Sequence, residues 1–377
     1  MKICFVTNNL RYFLSHRFDL AVELSEKYKH KIYVITSISS SSEDQLLICK
    51  QNNINLISLD ERSPNRSAKS YISDLKKVLK EEGFESVFFV TFEISFFGAL
   101  IILQTKLKRC FFIISGVGHN FYSQKLKYKF IKFAQLLALK ASTYFGNVKF
   151  IVQNPDDMEM LAKKLRLPME KFALIKGNGI NAKKFPYLVR DFQNLNFCYA
   201  GRATYSKGIH TLIEAMLLLK ERLPNVEFKI FFCILTDSNP SKDSIDLDDF
   251  FPREDNRLFK CFYNLSTEEL IKIYKESSVY ILPSEREGIS KASLEAASTG
   301  LPILASDAIG SKESVRDGVN GLRFKTGDSM HLSTQLYKMI SKKEKLKYFS
   351  NNSRKFIEEE YSLEAIAQSY NKLFSNK

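Results

Sequence analysis

Cysteine is scarce. Six are scattered through 377 residues (Cys4, Cys49, Cys110, Cys198, Cys233, Cys261), with no CxxC and no clustered His/Cys spacing. That argues against a disulfide scaffold or a structural zinc site and fits a reducing compartment. The chain opens Met1-Lys2-Ile3-Cys4-Phe5-Val6-Thr7, with no charged region ahead of a longer apolar stretch, so no signal peptide is expected. A Walker loop of the form GxxxxGK[ST] is absent. So are RNP-type aromatics, KH loops and zinc spacing, which leaves no basis for a nucleic-acid partner beyond salt-sensitive attraction to positive charge. A charge-free membrane span is missing too. The stretch Ser86 to Gln104 is largely apolar, but Glu93 sits near its centre, where a charge costs roughly 2.5–3.5 kcal/mol on insertion scales. It reads instead as a buried strand, 86–91, followed by a buried helix, 94–107.

Two further patterns fall short. Asp246-Leu247-Asp248-Asp249 contains a DxD, a pattern that can hold a metal, but here it reads as an acidic surface loop well past the strand ending at Cys233. Gly116-x-Gly118 follows a strand, yet Phe121 occupies the third glycine position of a dinucleotide fingerprint.

What is present is the composition of an ordinary soluble globular protein: 45 % hydrophobic, 13 % aromatic and 26 % charged. The length suits two domains. The net charge of +14 is unevenly held. Residues 1–190 carry 30 Lys+Arg and 16 Asp+Glu, a balance of +14, and residues 191–377 carry 26 of each. The first half is therefore expected to face something anionic.

Short apolar runs alternate with helical stretches throughout. The first half offers strands at 2–7, 31–36, 54–59, 86–91, 110–115 and 149–154, with helices at 13–28, 68–82 and 124–141. The second half starts again with strands at 196–201, 228–233, 278–284, 302–307 and 321–324. Runs this hydrophobic, joined by helices, predict parallel sheets covered on both faces. The expected join lies near Phe185-Pro186-Tyr187 to Asp191, and the serine-rich stretch 37–42 reads as a flexible loop. Doubly wound sheets bind ligands at the carboxyl ends of their strands.

The segment Pro283-Ser284-Glu285-Arg286-Glu287-Gly288-Ile289-Ser290-Lys291 ends a predicted strand, turns at glycine and enters a helix that carries Glu295. A helix N-terminus in that position suits a diphosphate, with one carboxylate on either side. Spacing alone fits equally a dipole partner at Glu287 and a solvated helix residue at Glu295. A second cluster, Gly201-Arg202-Ala203-Thr204-Tyr205-Ser206-Lys207-Gly208, follows the second half's first strand. Its two cations suit a pyrophosphate leaving group, at roughly 1.5–3 kcal/mol per charge-assisted hydrogen bond; two solvated loop cations are the alternative.

Together these clusters resemble the retaining, nucleotide-sugar-dependent glycosyltransferases of family four. The signature pair is Glu287-Gly288 and Glu295, and Gly300-Leu301-Pro302 and Glu313 to Leu322 are similar to the family as well. Phe13-Leu14-Ser15-His16-Arg17, Gln153 to Asp157 and Gly177-Asn178-Gly179-Ile180 resemble a subgroup that builds bacterial surface polysaccharides, such as O-antigen or capsule, on polyprenyl-diphosphate carriers.

The resemblance implies an α/β chain of GT-B fold, with two doubly wound Rossmann-like domains facing an interdomain cleft. They would be an acceptor- and membrane-facing domain at 1–186, with a C-terminal helix (about 361–377) packing back on it, and a nucleotide-sugar domain at 192–360. It implies that Glu287 contacts the donor sugar, that Gly201, Gly288, Ile289, Ser290 and Lys291 line the donor site, and that Glu295 holds the ribose. Arg202 and Lys207 would stabilise the departing nucleoside diphosphate, with no metal or other cofactor required.

Three departures from the family pattern fall on the acceptor side: a glycine-free loop at Thr7 to Arg11, an acid at Glu93, and a histidine at His119. His119 would position or deprotonate an acceptor hydroxyl, or is a hydrogen-bonded loop residue. His16 and Arg17 would meet a lipid-linked phosphate, or form a capping pair on the first helix. Lys125, Lys129, Lys132 and Lys140 fall within an arc of roughly 80° at helical spacing, beside Leu126, Phe130, Phe133 and Leu137. That pattern suits an anionic lipid surface, or simply a sheet-covering helix with a solvated lysine face. The expectation is a cytoplasmic, peripheral membrane enzyme that passes a sugar from a nucleotide donor, UDP-linked, to a lipid-linked saccharide. The alternative is a GT-B sugar-nucleotide epimerase working without an acceptor.

Overall fold

A computed structural model describes residues 1–39, 41–59, 67–116, 126–236, 243–247 and 257–375. The chain forms two compact units: Met1–Gly179 with Leu363–Lys377, and Ile180–Ser362.

The first unit runs β1 (Lys2–Asn9), α1 (Leu10–His16), α2 (Phe18–Tyr28), β2 (Lys31–Ser37), α3 (Glu43–Gln51), β3 (Ile54–Ser58), α4 (Ala68–Glu82) and β4 (Ser86–Val90). It continues through α5 (Phe92–Ile102), β5 (Cys110–Ile114), α6 (Leu126–Phe145), β6 (Val148–Val152), α7 (Pro155–Leu165) and β7 (Phe172–Leu174). The strands form one parallel sheet in the order β3-β2-β1-β4-β5-β6-β7. Its central strands are apolar without alternation because both faces are covered: every residue of SVFFV in β4 and CFFII in β5 is buried. Leu75, Phe97, Leu139 and Leu161, from α4 to α7, pack on one face. The other face takes Phe13, Leu20 and Leu24 from α1 and α2, and Cys49 from α3.

The second unit holds β8 (Leu195–Gly201), α8 (Ile209–Arg222), β9 (Phe228–Ile234), β10 (Phe259–Tyr263), α9 (Thr267–Glu276), β11 (Val279–Leu282) and α10 (Lys291–Ser298). It continues with β12 (Ile303–Ser306), β13 (Gly321–Phe324), α11 (Ser329–Ile340) and α12 (Lys343–Glu360). Its parallel sheet is ordered β10-β9-β8-β11-β12-β13. α13 (Leu363–Ser375) then returns to the first unit, where Ile366, Ala367, Tyr370 and Phe374 are buried beside Phe88 and Phe111.

Ile180 and Phe185 lie in the second unit's core beside Tyr361 and Ala297, so the first unit's chain ends at Gly179 rather than at 186. The helix expected over 13–28 is two helices, because Arg17 breaks it at φ −129°. The stretch 86–104 holds the buried β4 and α5, and no described helix is long and apolar enough to cross a membrane.

Candidate active site

The strand order of the second unit decides where a ligand fits. β8 and β11 are neighbours at the centre of the sheet, and their onward connections run to opposite sides. This is the switch point at which doubly wound sheets bind ligands, beyond the strands' carboxyl ends. The loops 202–208 and 283–290 leave from that end.

The two loops are tied together closely. Glu285 N–H donates to the Ser206 carbonyl at 3.0 Å. Gly208, at φ +68°, is so near the other loop that a Cβ there would lie 2.1 Å from the Pro283 carbonyl oxygen. Gly310, at φ +77°, touches the same loop from the β12 side; its Cβ would lie 2.1 Å from the Glu287 carbonyl oxygen. Only glycine satisfies both demands, an open left-handed backbone and no side chain.

Those contacts put Lys207 against Glu287. Lys207 Nζ donates to Glu287 Oε1 at 2.5 Å, and Ser284 Oγ donates to the same oxygen at 2.8 Å. Ser284 is fully buried, and its carbonyl accepts from Ser306 Oγ at 2.5 Å and Ser311 Oγ at 3.3 Å. A chain of buried hydroxyls thus fixes the carboxylate, which shares its charge with one lysine. Beneath the loops, Tyr280 OH donates to the Ala200 carbonyl at 3.0 Å and Tyr199 OH to the Arg202 carbonyl at 2.8 Å. Burial pushes both phenols well above their ordinary range, so they act as hydrogen-bond donors and not as acids.

α10 begins directly after this loop. Ser290 caps it, accepting from the Ser293 N–H at 3.4 Å. Glu295 is buried to 6 % exposure and pairs with Lys291 at 2.7 Å. Ile289 packs on the core behind the helix. Gly201 lies at the end of β8, where a Cβ would meet Tyr199 Oη at 2.6 Å. Arg202 follows it, in the loop that carries Lys207. So the second unit brings Glu287, Lys207 and Ser284 into one network and sets Glu295 with Lys291 on the adjoining helix. Ser284, Ser306, Ser311, Tyr199 and Tyr280 carry no signature in the sequence, because a serine or tyrosine in or beside a strand gives no sign of what it will touch.

The first-unit candidates are dispersed. His16 is half-buried at the end of α1, stacked on Tyr12 at 4.4 Å with its Nδ1 2.6 Å from Ser15 Oγ. Tyr12 OH in turn lies 3.3 Å from Ser115 Oγ, just past β5. Arg17 is only 1 % exposed; its Nη1 donates to Asn178 Oδ1 and, at 3.3 Å, to Tyr370 OH on α13. It clamps the α1–α2 junction to the C-terminal helix. His119, Lys125, Asp248 and Asp249 lie outside the described residues, and among the described ones no three His, Cys, Asp or Glu side chains gather to hold a metal.

Residues 181–356 match the profile of the family described as "Glycosyl transferases group 1". That stretch covers most of the second unit, which is thus similar to the family. The chain as a whole is 26 % identical over 316 residues to N,N'-diacetylbacillosaminyl-diphospho-undecaprenol alpha-1,3-N-acetylgalactosaminyltransferase of Campylobacter jejuni, an alignment covering 80 % of this chain and 79 % of that one. Among solved structures it resembles sucrose-phosphate synthase from Thermosynechococcus elongatus, with TM-score 0.79, 17 % identity and full coverage of both chains. It also resembles Anabaena HepE in complex with UDP-glucose, with TM-score 0.76, 15 % identity and full coverage of both. The fold is GT-B.

Proposed function

We propose that this glycosyltransferase moves a sugar, with retention of configuration, from a nucleoside-diphosphate donor to a saccharide carried on a polyprenyl diphosphate. The observation that carries the reading is the Lys207–Glu287–Ser284 network at the β8/β11 switch point. A cation held there, with Arg202 in the same loop, suits the charge that develops on a departing diphosphate. Glu287 then meets the donor sugar's hydroxyls, while Gly288, Ile289 and Ser290 present backbone to the sugar and phosphates at the start of α10. Glu295 takes the ribose, with Lys291 beside it and Gly201 leaving room for the nucleotide. The UDP-glucose in the Anabaena structure supports a UDP-linked donor.

The acceptor falls to the first unit. The name of the Campylobacter relative specifies a diphospho-undecaprenol substrate, and residues 1–190 carry the whole net positive charge. A diphosphate-linked lipid matches both. Of the residues assigned to the acceptor side, His16 has its ring on Tyr12, Arg17 is buried on Asn178 and Tyr370 and so serves as a clamp, and His119 is assigned from sequence alone.

In the reaction the bond from the anomeric carbon to the diphosphate oxygen breaks. A bond from the same carbon to the acceptor oxygen forms on the same face. The acceptor's proton passes to the leaving diphosphate. Arg202 and Lys207 supply the charge stabilisation that this step needs, with no metal in the scheme.

The test is nucleoside-diphosphate release from UDP-, GDP- and dTDP-sugars, with and without a polyprenyl-diphosphate sugar. Acceptor-dependent release is expected, and Glu287→Ala and Lys207→Ala each lower it by about 100-fold or more. Donor conversion with no acceptor present would favour an epimerase, and release indifferent to both substitutions would remove the site.

A further inference from the structure

Residues 243–247 lie in the connection from β9 to β10, where the sequence offers an acidic surface loop. Asp246 is exposed, as such a loop requires, but Ile245 and Leu247 on either side of it are buried in the second unit's core. Burial alternates along the segment, so Ile245 and Leu247 peg it to the core. The preceding member of that inward series is Asp243, which is half-buried.

Asp243 reaches the loop that carries Lys207. Its Oδ2 accepts from the Ser206 N–H at 3.2 Å and from Ser206 Oγ. The backbones pair as well, in an isolated antiparallel bridge between Thr204 and Ser244. Tyr205 N–H donates to the Asp243 carbonyl at 2.9 Å, and Ile245 N–H donates to the Ala203 carbonyl at 3.0 Å. Ser206 is thus held from two sides, because its own carbonyl takes the Glu285 N–H from the other loop. Lys207 is the next residue, so any shift of Ser206 passes directly to it.

We propose that Asp243 is a positioning residue for Lys207. Through Ser206 it seats the 202–208 loop so that the lysine meets the nucleoside diphosphate. This rests on the reading of Lys207 as the cation at the leaving group. A carboxylate suits the task because one oxygen takes both donors and the hydrogen bonds are charge-assisted. Charge alone predicts the opposite effect. An acid bonded to the neighbour of an anion-binding lysine repels the anion, so its removal would tighten nucleotide binding. The sign of the change on removing Asp243 therefore separates positioning from plain repulsion.

The experiment is calorimetric titration of the full-length chain with UDP, GDP and dTDP, with affinity counted per folded molecule from parallel melting curves. Asp243→Ala should weaken the nucleotide that binds the wild type by about 10-fold, the worth of one charge-assisted hydrogen bond. Asp243→Asn keeps an oxygen that accepts both donors and should hold affinity to within about threefold of the wild type. Ser206→Ala removes one donor without touching the strap and should weaken binding by about threefold. In the Lys207→Ala background, adding Asp243→Ala should change affinity by less than about twofold, since the residue it positions is gone. Unchanged or tighter binding by Asp243→Ala, or by Ser206→Ala where Asp243→Ala does not fold, overturns the proposal; if Lys207→Ala still binds weakly, the site itself stands. So does a loss that multiplies in full with that of Lys207→Ala, which would make Asp243 a brace for the fold alone. Binding of none of the three nucleotides, or equal affinity in Lys207→Ala, would bring down the site reading and this proposal with it.

Discussion

Lys207 and Glu287 lie 80 positions apart and meet at 2.5 Å. Each residue stands out in the sequence through its neighbours, a glycine-flanked loop in one case and a Glu-Gly turn in the other. Their contact does not, because it depends on which strands the fold places side by side. The same holds for Ser284, which reads as an ordinary strand-end serine until its hydroxyl is found on the carboxylate. Arg190 shows the limit from the other side. It stands in the expected linker, yet it is a half-buried clamp that donates to the carbonyls of Leu188, Tyr274, Ser277 and Thr299 and to Thr299 Oγ1. Burial pushes its guanidinium down to about 10, still charged at neutral pH. Arg190→Met should cost about 2–4 kcal/mol of stability, because several buried carbonyls lose a charged donor together. A urea titration checks this, with turnover per folded molecule unchanged; a loss under about 0.5 kcal/mol would place Arg190 among ordinary surface residues.

Among the elements, the long apolar strands were legible because burial on both faces leaves them no polar alternation. The strands at 172–174 and 259–263 were not. β7 is three residues long, and β10 mixes Lys260 and Tyr263 with its apolar residues because it lies at the sheet's edge. The break at Arg17 was hidden as well, since the residues on both sides keep a helical pattern. Gly310 and Gly318 give a matched test of how the elements build the site. Both adopt left-handed backbone, at φ +77° and +74°, but a Cβ would meet Glu287 only at Gly310, and nothing lies within 4 Å at Gly318. Alanine at either position should cost about 1–2 kcal/mol of backbone strain. Only Gly310→Ala displaces the Glu287 loop, and it should lower turnover by about 100-fold, as misplacement of about 1 Å does. Parallel melting curves and initial rates separate the two effects; equal losses of rate would mean that Gly310 does not set the loop.

On the scale of the whole chain, the two halves divide chemistry and charge. The second unit, Ile180–Ser362, holds the Lys207–Glu287 network and is nearly balanced, with 27 Lys+Arg against 25 Asp+Glu, while the first unit carries 29 against 17. Composition made that division legible, and periodicity made the two parallel sheets legible. Which sugar and which base the enzyme takes is written in pocket shape, to which residues distant in sequence contribute together. The decisive property is whether the β8/β11 loops bind a nucleoside diphosphate through Lys207. Isothermal titration calorimetry with UDP, GDP and dTDP, on the wild-type chain and on Lys207→Ala, measures this without any acceptor. One nucleotide should bind the wild type, and Lys207→Ala should weaken it by about 10- to 100-fold, the worth of one charge-assisted hydrogen bond. Binding of none of the three, or equal affinity in the variant, would contradict the account at its centre.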